Sequence, residues 1–272
     1  MIDRNQVKVI LFDMDGTLYQ DPDFHRPYLR YLLQDTPHAS FAEESIRLAD
    51  EIILHDAVPM NRFYRVRRRE EGFSGWEEMA QWMCDSQIPE MPFEDCYRNG
   101  IGQLCYLGDL WEVAIFIANI LGTLPQNGQK AFLRVREEME QTTLRPAPEL
   151  YALLDRLKQR YTTVLLSNSP EGTASAFIAR LGFDRSFTHH FYGAQKPYHL
   201  FENLRRHEGM EAVRPEKILS IGDHAYNEIA PVRLQGGQTV WINPYADAPQ
   251  IEASACVRDI PALIETLERA LL

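Results

Sequence analysis

The hydrophobic pattern of the chain begins with a short apolar run, residues 7–12, which ends at two aspartates and a glycine. A short apolar run bounded by a polar, glycine-containing cluster is typical of a strand that is buried on both faces of a parallel sheet. Asp13 and Asp15 follow this strand, and the carboxyl ends of such strands face the crevice where open α/β sheets bind ligands. Two carboxylates so close together repel each other unless a cation or a shared proton lies between them.

The following part of the chain, about residues 19–145, has helical patterns. Proline and glycine positions interrupt these patterns, among them the PQNG sequence at 125–128. The predicted helices cover 24–33, 41–69 in two or more pieces, 75–84, 108–121 and 129–140. Because no strand is predicted in this part, the sequence predicts an all-helical insert.

From about residue 145 onwards, predicted strands alternate with predicted helices. The strands are 162–166, 217–221 and 238–242, and amphipathic segments lie before and between them. Alternation of this kind predicts right-handed βαβ units and a mostly parallel, Rossmann-like α/β sheet flanked by helices. The strand at residues 7–12 is expected to join this sheet. The predicted domains are therefore a core of residues 1–18 and 146–272 and a helical insert of residues 19–145.

Charge and cysteine usage exclude several classes of protein. The chain has 272 residues and a formal net charge of −11, so we expect no nucleic acid polymer as partner, because such a partner requires clustered Lys and Arg. A small anionic substrate is compatible with this charge, since a metal ion or a lysine dominates its own site. The four cysteines form no CxxC pair, which predicts reduced thiols: Cys84, Cys96, Cys105 and Cys256.

The apolar segments also indicate where the protein is found. The chain starts MIDRNQ, without the pattern of a signal peptide, and the longest other apolar stretch, residues 113–124, is too short to cross a bilayer as a helix. These features predict a cytoplasmic protein without a membrane partner.

Polar side chains follow the later strands as well. Ser167 and Asn168 end one strand, Lys196 lies in the next loop, and Asp223 ends a third strand. In a parallel sheet these groups meet at the edge where Asp13 lies. Taken one at a time, the aspartates could form a turn, Ser167 could cap a helix and Lys196 could be a surface lysine. As a set they offer hard oxygen ligands, which suit Mg²⁺.

The order of these motifs resembles that of the haloacid dehalogenase (HAD) superfamily. The four motifs are DxDGT, a strand ending in Ser167, Lys196 followed by proline, and Asp223 after glycine. They cover residues 7–18 and about 145–242, roughly half of the chain. The resemblance implies a HAD-like fold, and the position of the insert between the first two motifs resembles a C1-type helical cap that closes over a substrate.

The resemblance also implies roles for the aspartates. Asp13 would attack phosphorus and form an aspartyl-phosphate, while Asp15 would act as general acid and base. Magnesium would be held by the Asp13 side chain, the backbone carbonyl of Asp15 and the Asp223 side chain. Ser167 and Asn168 would bind phosphate, and Lys196 would offset negative charge on Asp13 and the phosphoryl group.

These roles predict a Mg²⁺-dependent phosphatase that acts on a small phosphorylated molecule. Dehalogenating members resemble this pattern but lack a carboxylate two places after the nucleophile, so Asp15 favours phosphate chemistry. The alternatives are a phosphomutase of the same fold and a non-catalytic protein that binds a phosphorylated metabolite. The oligomeric state, monomer or homodimer, stays open.

Several residues keep more than one interpretation. Tyr19 and Asn227 resemble a subset of the superfamily with pyrimidine-nucleotidase-type phosphatases. Either Asn227 or Glu228 could serve the outer shell of the metal. The arginines at positions 62, 65 and 69 share one face of a predicted helix, where they could bind an anionic group of the substrate or form a solvated charged face.

Overall fold

A computed structural model describes residues 2–69, 71–89, 92–142, 144–207, 209–245 and 251–272. In this part of the chain, strands β1–β9 run in order over Val9–Phe12, Phe63–Arg65, Gln87–Ile88, Leu104–Tyr106, Thr162–Leu166, His189–Phe191, Ile218–Gly222, Gln238–Ile242 and Ala255–Val257. Helices α1–α11 run in order over His25–Leu33, Ala42–His55, Trp76–Cys84, Phe93–Asn99, Leu110–Ile120, Leu124–Gln141, Pro148–Lys158, Glu171–Arg180, Leu200–Arg205, Ala230–Arg233 and Ile260–Leu271.

The chain divides into two compact units. The first comprises the described residues of 1–20, 143–244 and 251–272, and the second comprises those of 21–142 together with Tyr245. None of the helices in the described segments combines the length and the apolar composition needed to cross a membrane.

The first unit is built on a six-stranded sheet with the order β6-β5-β1-β7-β8-β9, in which every neighbouring pair is parallel. The predicted Rossmann-like α/β sheet is thereby confirmed. Strand β1 lies inside the sheet, and its last residue, Phe12, pairs with Leu165 on one side and with Ile221 on the other. Its four residues are all buried, which explains why the sequence there is continuously apolar.

Helices cover this sheet with apolar stripes. Helix α7 buries four leucines at helical spacing, and α11 packs against it with a similar stripe. At the surface of this helix pair, Arg156 Nη1 lies 2.7 Å from Glu268 Oε1. The apolar periodicity at 148–158 therefore marks the face that packs, and charged residues occupy the opposite face.

The second unit combines helices with a small sheet. Helices α1, α5 and α6 pack against one another, and α5 buries most of its length. Strands β3, β2 and β4 form an antiparallel sheet in this order. The prediction of an all-helical insert is therefore wrong, and the predicted helical segment 41–69 ends as helix at His55. Strands of two or three residues are too short to display an alternating pattern.

Two further predictions in the insert are wrong. The PQNG sequence at 125–128 does not separate helices, because α6 begins at Leu124 and runs through it. Proline lies in the first turn, where its missing N–H donor leaves no hydrogen bond unmade.

The predicted helical row of arginines does not exist, since Arg65 ends a strand. Arg69 instead forms an ion pair with Glu78, with 2.7 Å between Arg69 Nη2 and Glu78 Oε1, and its guanidinium stacks over the ring of Phe73.

Candidate active site

Strand β1 holds Asp13 at the middle of the sheet edge. The Asp13 N–H donates to the Ile221 carbonyl over 3.0 Å, which extends the hydrogen-bond ladder of β1 and β7 by one residue. Only 9% of Asp13 is exposed. Burial raises the pKa of Asp13, Lys196 opposes this rise, and the nearby charge of Asp15 adds to it.

The ammonium of Lys196 lies between two buried carboxylates. Its Nζ is 2.5 Å from Asp13 Oδ1 and 2.8 Å from Glu228 Oε1. Burial disfavours its charged form, but the two carboxylates outweigh this effect and raise the pKa of Lys196 above its usual range. Burial also raises the pKa of Glu228, to about 8, although Lys196 acts in the opposite direction. Lys196 is therefore charged, and two acids share its one positive charge.

Asn168 fixes the loop that carries Lys196. The Lys196 N–H donates to Asn168 Oδ1 over 2.6 Å, and Asn168 Nδ2 donates back to the Lys196 carbonyl over 3.3 Å. We call this reciprocal pair the Asn168–Lys196 clasp. It joins the loop after β5 to the loop after β6, so Asn168 supports the lysine. A contact between Asn168 and phosphate stays a prediction.

Ser167 lies at the end of β5, where the sequence predicts it. Its N–H donates to the Phe191 carbonyl over 2.9 Å, and its carbonyl accepts from Ala194 N–H over 3.0 Å. The Ser167 hydroxyl oxygen accepts from Ser169 N–H over 3.1 Å. This arrangement uses the hydroxyl as an acceptor, and its proton can be donated to an anion.

The loops that carry Asp15 and Asp223 lie against each other at Gly16. A Cβ atom at Gly16 would lie 1.9 Å from Asp223 Oδ2, and the φ of +72° at Gly16 is in the left-handed region. Glycine is therefore required for this close approach. The Asp223 carbonyl accepts from Trp241 Nε1 over 2.9 Å, which fixes the loop from its other side.

The donor set fits a hard divalent cation. Asp13 and Asp223 supply carboxylates directly after two neighbouring strands, β1 and β7. Because Gly16 has no Cβ, no side chain covers the Asp223 carboxylate from that position. Among the described residues, no group of three or more His, Cys, Asp or Glu side chains could by itself hold a metal. Two carboxylates completed by a backbone carbonyl and water are nevertheless the pattern that suits Mg²⁺.

Asp15 is held by a tyrosine from its own loop. The Tyr19 hydroxyl donates to Asp15 Oδ1, and the two residues also form an isolated backbone bridge. Tyr19 is 4% exposed, and its ring lies edge-on to Phe177, with 5.0 Å between the ring centroids. The loop after β1 thus returns on itself and fixes its second carboxylate.

Glu228 reaches Lys196 from a π-helical turn, Ala225–Ile229, that follows β7 and Asp223. Glu228 Oε2 accepts from the His224 N–H over 3.0 Å, while Oε1 faces the lysine. Of the two candidates for the outer metal shell, Glu228 therefore contacts Lys196. The backbone N–H of the other candidate, Asn227, donates to His224 Nδ1 over 3.3 Å. A role of either residue towards a metal stays a prediction.

A family model for haloacid dehalogenase-like hydrolases matches residues 7–232, which include Asp13, Lys196 and Asp223. The chain belongs to this hydrolase family. A phosphatase of glyceraldehyde 3-phosphate from Pyrococcus furiosus is 29% identical to this HAD-like hydrolase over 140 residues. That match covers 47% of the chain and 57% of the relative, so the chain spans little more than half the length of the curated relative that it matches.

Solved structures share the HAD-like fold over nearly the whole chain. A HAD hydrolase of Bacillus subtilis bound to magnesium is 14% identical with a TM-score of 0.54, and covers 98% of this chain and 99% of its own. A predicted phosphoglycolate phosphatase of Haemophilus somnus is 18% identical with a TM-score of 0.52, over 96% and 98% of the two chains. An L-2-haloacid dehalogenase is 16% identical with a TM-score of 0.53, over 96% and 99%. These likenesses establish the fold of this HAD-like hydrolase.

Sequence reasoning missed two contacts in this HAD-like hydrolase. It assigned Glu228 only to the metal, and it used Tyr19 only as a sign of substrate class. Gly222 carries a signal for the first contact, because a Cβ there would lie 2.4 Å from Glu228 Cγ. The second contact has only a weak signal, the four-residue spacing between Asp15 and Tyr19.

Proposed function

We propose that this HAD-like hydrolase is a Mg²⁺-dependent phosphatase that hydrolyses a small phosphomonoester through an aspartyl-phosphate on Asp13. The observation that carries the proposal is Asp15, a hydrogen-bonded carboxyl group two residues after the buried Asp13. A leaving alkoxide needs a proton, whereas a halide does not, and the dehalogenating pattern lacks this carboxylate. Asp15 therefore favours phosphate esters over haloacids.

The proposed reaction has two displacements at phosphorus. In the first, an Asp13 carboxylate oxygen forms a bond to phosphorus while the ester P–O bond breaks, and Asp15 gives its proton to the leaving oxygen. In the second, Asp15 takes a proton from water, the water oxygen attacks phosphorus, and the bond between Asp13 and phosphorus breaks. Inorganic phosphate is released, and both aspartates return to their starting states.

Lys196 and Ser167 would stabilise the negative charge of the transferring group. The Lys196 ammonium already lies at hydrogen-bond distance from Asp13, and Glu228 would remain its partner when Asp13 becomes an acyl phosphate. The Ser167 hydroxyl would donate to a phosphoryl oxygen. Fixed charges and donors of this kind supply most of what phosphoryl transfer requires.

Magnesium would be held by the Asp13 and Asp223 side chains and by the Asp15 backbone carbonyl. When bound, the ion supplies positive charge that neutralises phosphoryl oxygens and the Asp13 carboxylate. It would also lower the repulsion between the negative groups that crowd this sheet edge.

The relatives support a small phosphorylated substrate. The Pyrococcus furiosus relative is a phosphatase of a small phosphorylated metabolite, and its match to this chain is partial. The net charge of −11 supports the same class, because the chain offers no extended cationic surface by composition for a long polyanion.

The proposal is tested with the Asp13→Asn variant. Without a nucleophilic carboxylate, we expect release of inorganic phosphate from 4-nitrophenyl phosphate to fall by at least about 10³-fold. Phosphate release is measured with Mg²⁺ and with EDTA, and no acceptor sugar is added, so that a mutase would give no signal. The wild type should be active only with Mg²⁺.

Asp184→Asn is the matched control, since it makes the same substitution at an exposed aspartate. This variant should retain wild-type turnover. Wild-type-like turnover by Asp13→Asn would overturn the mechanism, and chloride release from a 2-chloro acid without phosphatase activity would overturn the proposed reaction.

A further inference from the structure

We infer that Tyr19 is a positioning residue for Asp15, which holds the carboxyl so that one defined oxygen carries the transferable proton. The inference rests on the proposed phosphatase function and adds a residue to it. Because the Tyr19 O–H donates to Oδ1, this oxygen is engaged as an acceptor, and the proton of the acid form is carried by Oδ2.

The fold leaves the Tyr19 side chain little freedom. The residue is buried, its ring lies edge-on to Phe177 at an interplanar angle of 72°, and Phe177 is itself buried in helix α8. Upstream, the Leu18 N–H donates to the Met14 carbonyl over 3.0 Å, and Gly16 adopts the positive φ that closes the turn. The phenol is therefore presented to Asp15 by the core of the first unit.

A fixed donor matters because Asp15 lies on a loop and is only half buried. A carboxyl group on a freely rotating side chain spends part of its time in rotamers that cannot reach the leaving oxygen. Misplacing a reacting group by about 1 Å can cost about 10²-fold in rate. In the chemical step, the Oδ2 proton moves to the leaving oxygen as the P–O bond breaks, while Tyr19 keeps its own proton.

The test compares leaving groups in the Tyr19→Phe variant, which keeps the ring that packs on Phe177. The substrates are 4-nitrophenyl phosphate, phenyl phosphate and an alkyl phosphate, whose leaving groups need protonation increasingly. We expect kcat/KM, which reports only the first displacement, to fall by about 10-fold or more for the alkyl ester and by less than about 3-fold for the nitrophenyl ester.

Two further variants define the pathway of the effect. Asp15→Asn should show the same dependence on the leaving group with a larger loss, and the Asp15→Asn/Tyr19→Phe double variant should be no slower than Asp15→Asn alone. Tyr161→Phe is the matched control, because it removes a phenol that donates to the Leu271 carbonyl over 3.1 Å, and it should match the wild type on all esters.

The possible outcomes separate the two proposals. An equal loss of kcat/KM on all three esters, or no loss, in the folded Tyr19→Phe variant overturns the positioning role while the phosphatase function stands. A double variant that is clearly slower than Asp15→Asn alone also overturns it, because Tyr19 would then act independently of Asp15. If the wild type releases no phosphate from any of the three esters, the proposed function fails, and the inference fails with it.

Discussion

Lys196 has one positive charge and two buried carboxylate partners. With all three groups ionised, this cluster has a net negative charge in a site where Asp13 and Glu228 are each at most 9% exposed. Burial of a net charge is unfavourable, so the cluster holds an additional proton more strongly than the separated side chains do. The raised pKa of Glu228, about 8, expresses this effect.

This cluster predicts a pH dependence of stability. A carboxyl group with a higher pKa in the folded state binds more protons when folded, so its stabilising contribution is complete below pH 4.5 and is lost as the pH rises through about 8. In EDTA, the free energy of unfolding of the wild type should therefore fall relative to Glu228→Gln between pH 5 and pH 8. The slope for one proton is at most about 1.4 kcal/mol per pH unit.

Denaturant unfolding of both proteins at several pH values provides the measurement. The glutamine variant is the reference because its amide does not titrate in this range. If the plots of unfolding free energy against pH run parallel for the two proteins, Glu228 has the same proton affinity in the folded and unfolded states.

At the scale of elements, the short path from β7 to the π-helical turn determines where Glu228 lies. Gly222 ends β7, and Glu228 returns over it, with Cγ 2.4 Å and Cβ 2.7 Å from the position that a Cβ of residue 222 would take. A side chain at position 222 would thus displace the glutamate from the lysine.

Gly222→Ala tests this packing. We expect it to lower the free energy of unfolding by about 1–3 kcal/mol through overpacking. It should also reduce phosphatase activity, since Glu228 must move. Gly172→Ala is the control, because no heavy atom lies within 4 Å of that Cβ position and alanine favours a helix such as α8. Chemical denaturation should show the control as neutral or slightly stabilised, and equal losses in both variants would contradict the packing argument.

The sequence predicts the long, buried elements well and the short ones poorly. Strands β5 and β8 occupy the predicted positions, 162–166 and 238–242, because apolar runs of five residues between helices have few alternatives. Strands β6 and β9 have three residues each at the two edges of the sheet, and β6 contains His189 and His190. Edge strands need no apolar run. Their positions are therefore determined by pairing with a neighbouring strand and cannot be predicted from the local sequence pattern.

At the scale of the whole molecule, the chain is acidic and several carboxylates of the candidate site lie at one edge of the sheet. The net charge is −11, and Asp13, Asp15 and Asp223 all follow strands at the same sheet edge. A cation that binds the folded state and not the unfolded state stabilises the folded state, by about 2.7 kcal/mol when the free cation concentration is 100 times Kd.

Magnesium should therefore raise the midpoint of thermal unfolding. For a chain of this size the expected shift is about 2–4 °C per kcal/mol of stabilisation. Calorimetry with Mg²⁺ and with EDTA measures it, and Asp223→Asn should lose most of the shift while Asp184→Asn keeps it. A shift of equal size in Asp223→Asn would place the ion elsewhere on the protein.

The candidate site shows the limit of sequence reasoning in a different way. Asp13, Ser167 and Asp223 are predictable because each directly follows a strand, and a parallel sheet brings strand ends together. The contacts of Glu228 and Tyr19 are not predictable in this way. They depend on the path of a π-helical turn and of a tight loop, which local periodicity does not encode.

The Asn168–Lys196 clasp has a consequence for ligand affinity. Two hydrogen bonds between the Asn168 side-chain amide and the backbone N–H and carbonyl of Lys196 order the lysine loop before any ligand arrives. When a loop becomes ordered only on binding, affinity is lower, because the loss of conformational entropy offsets part of the favourable free energy of the contacts. Since the protein itself orders this loop, an anion that binds beside Lys196 does not lose binding free energy to ordering of the loop.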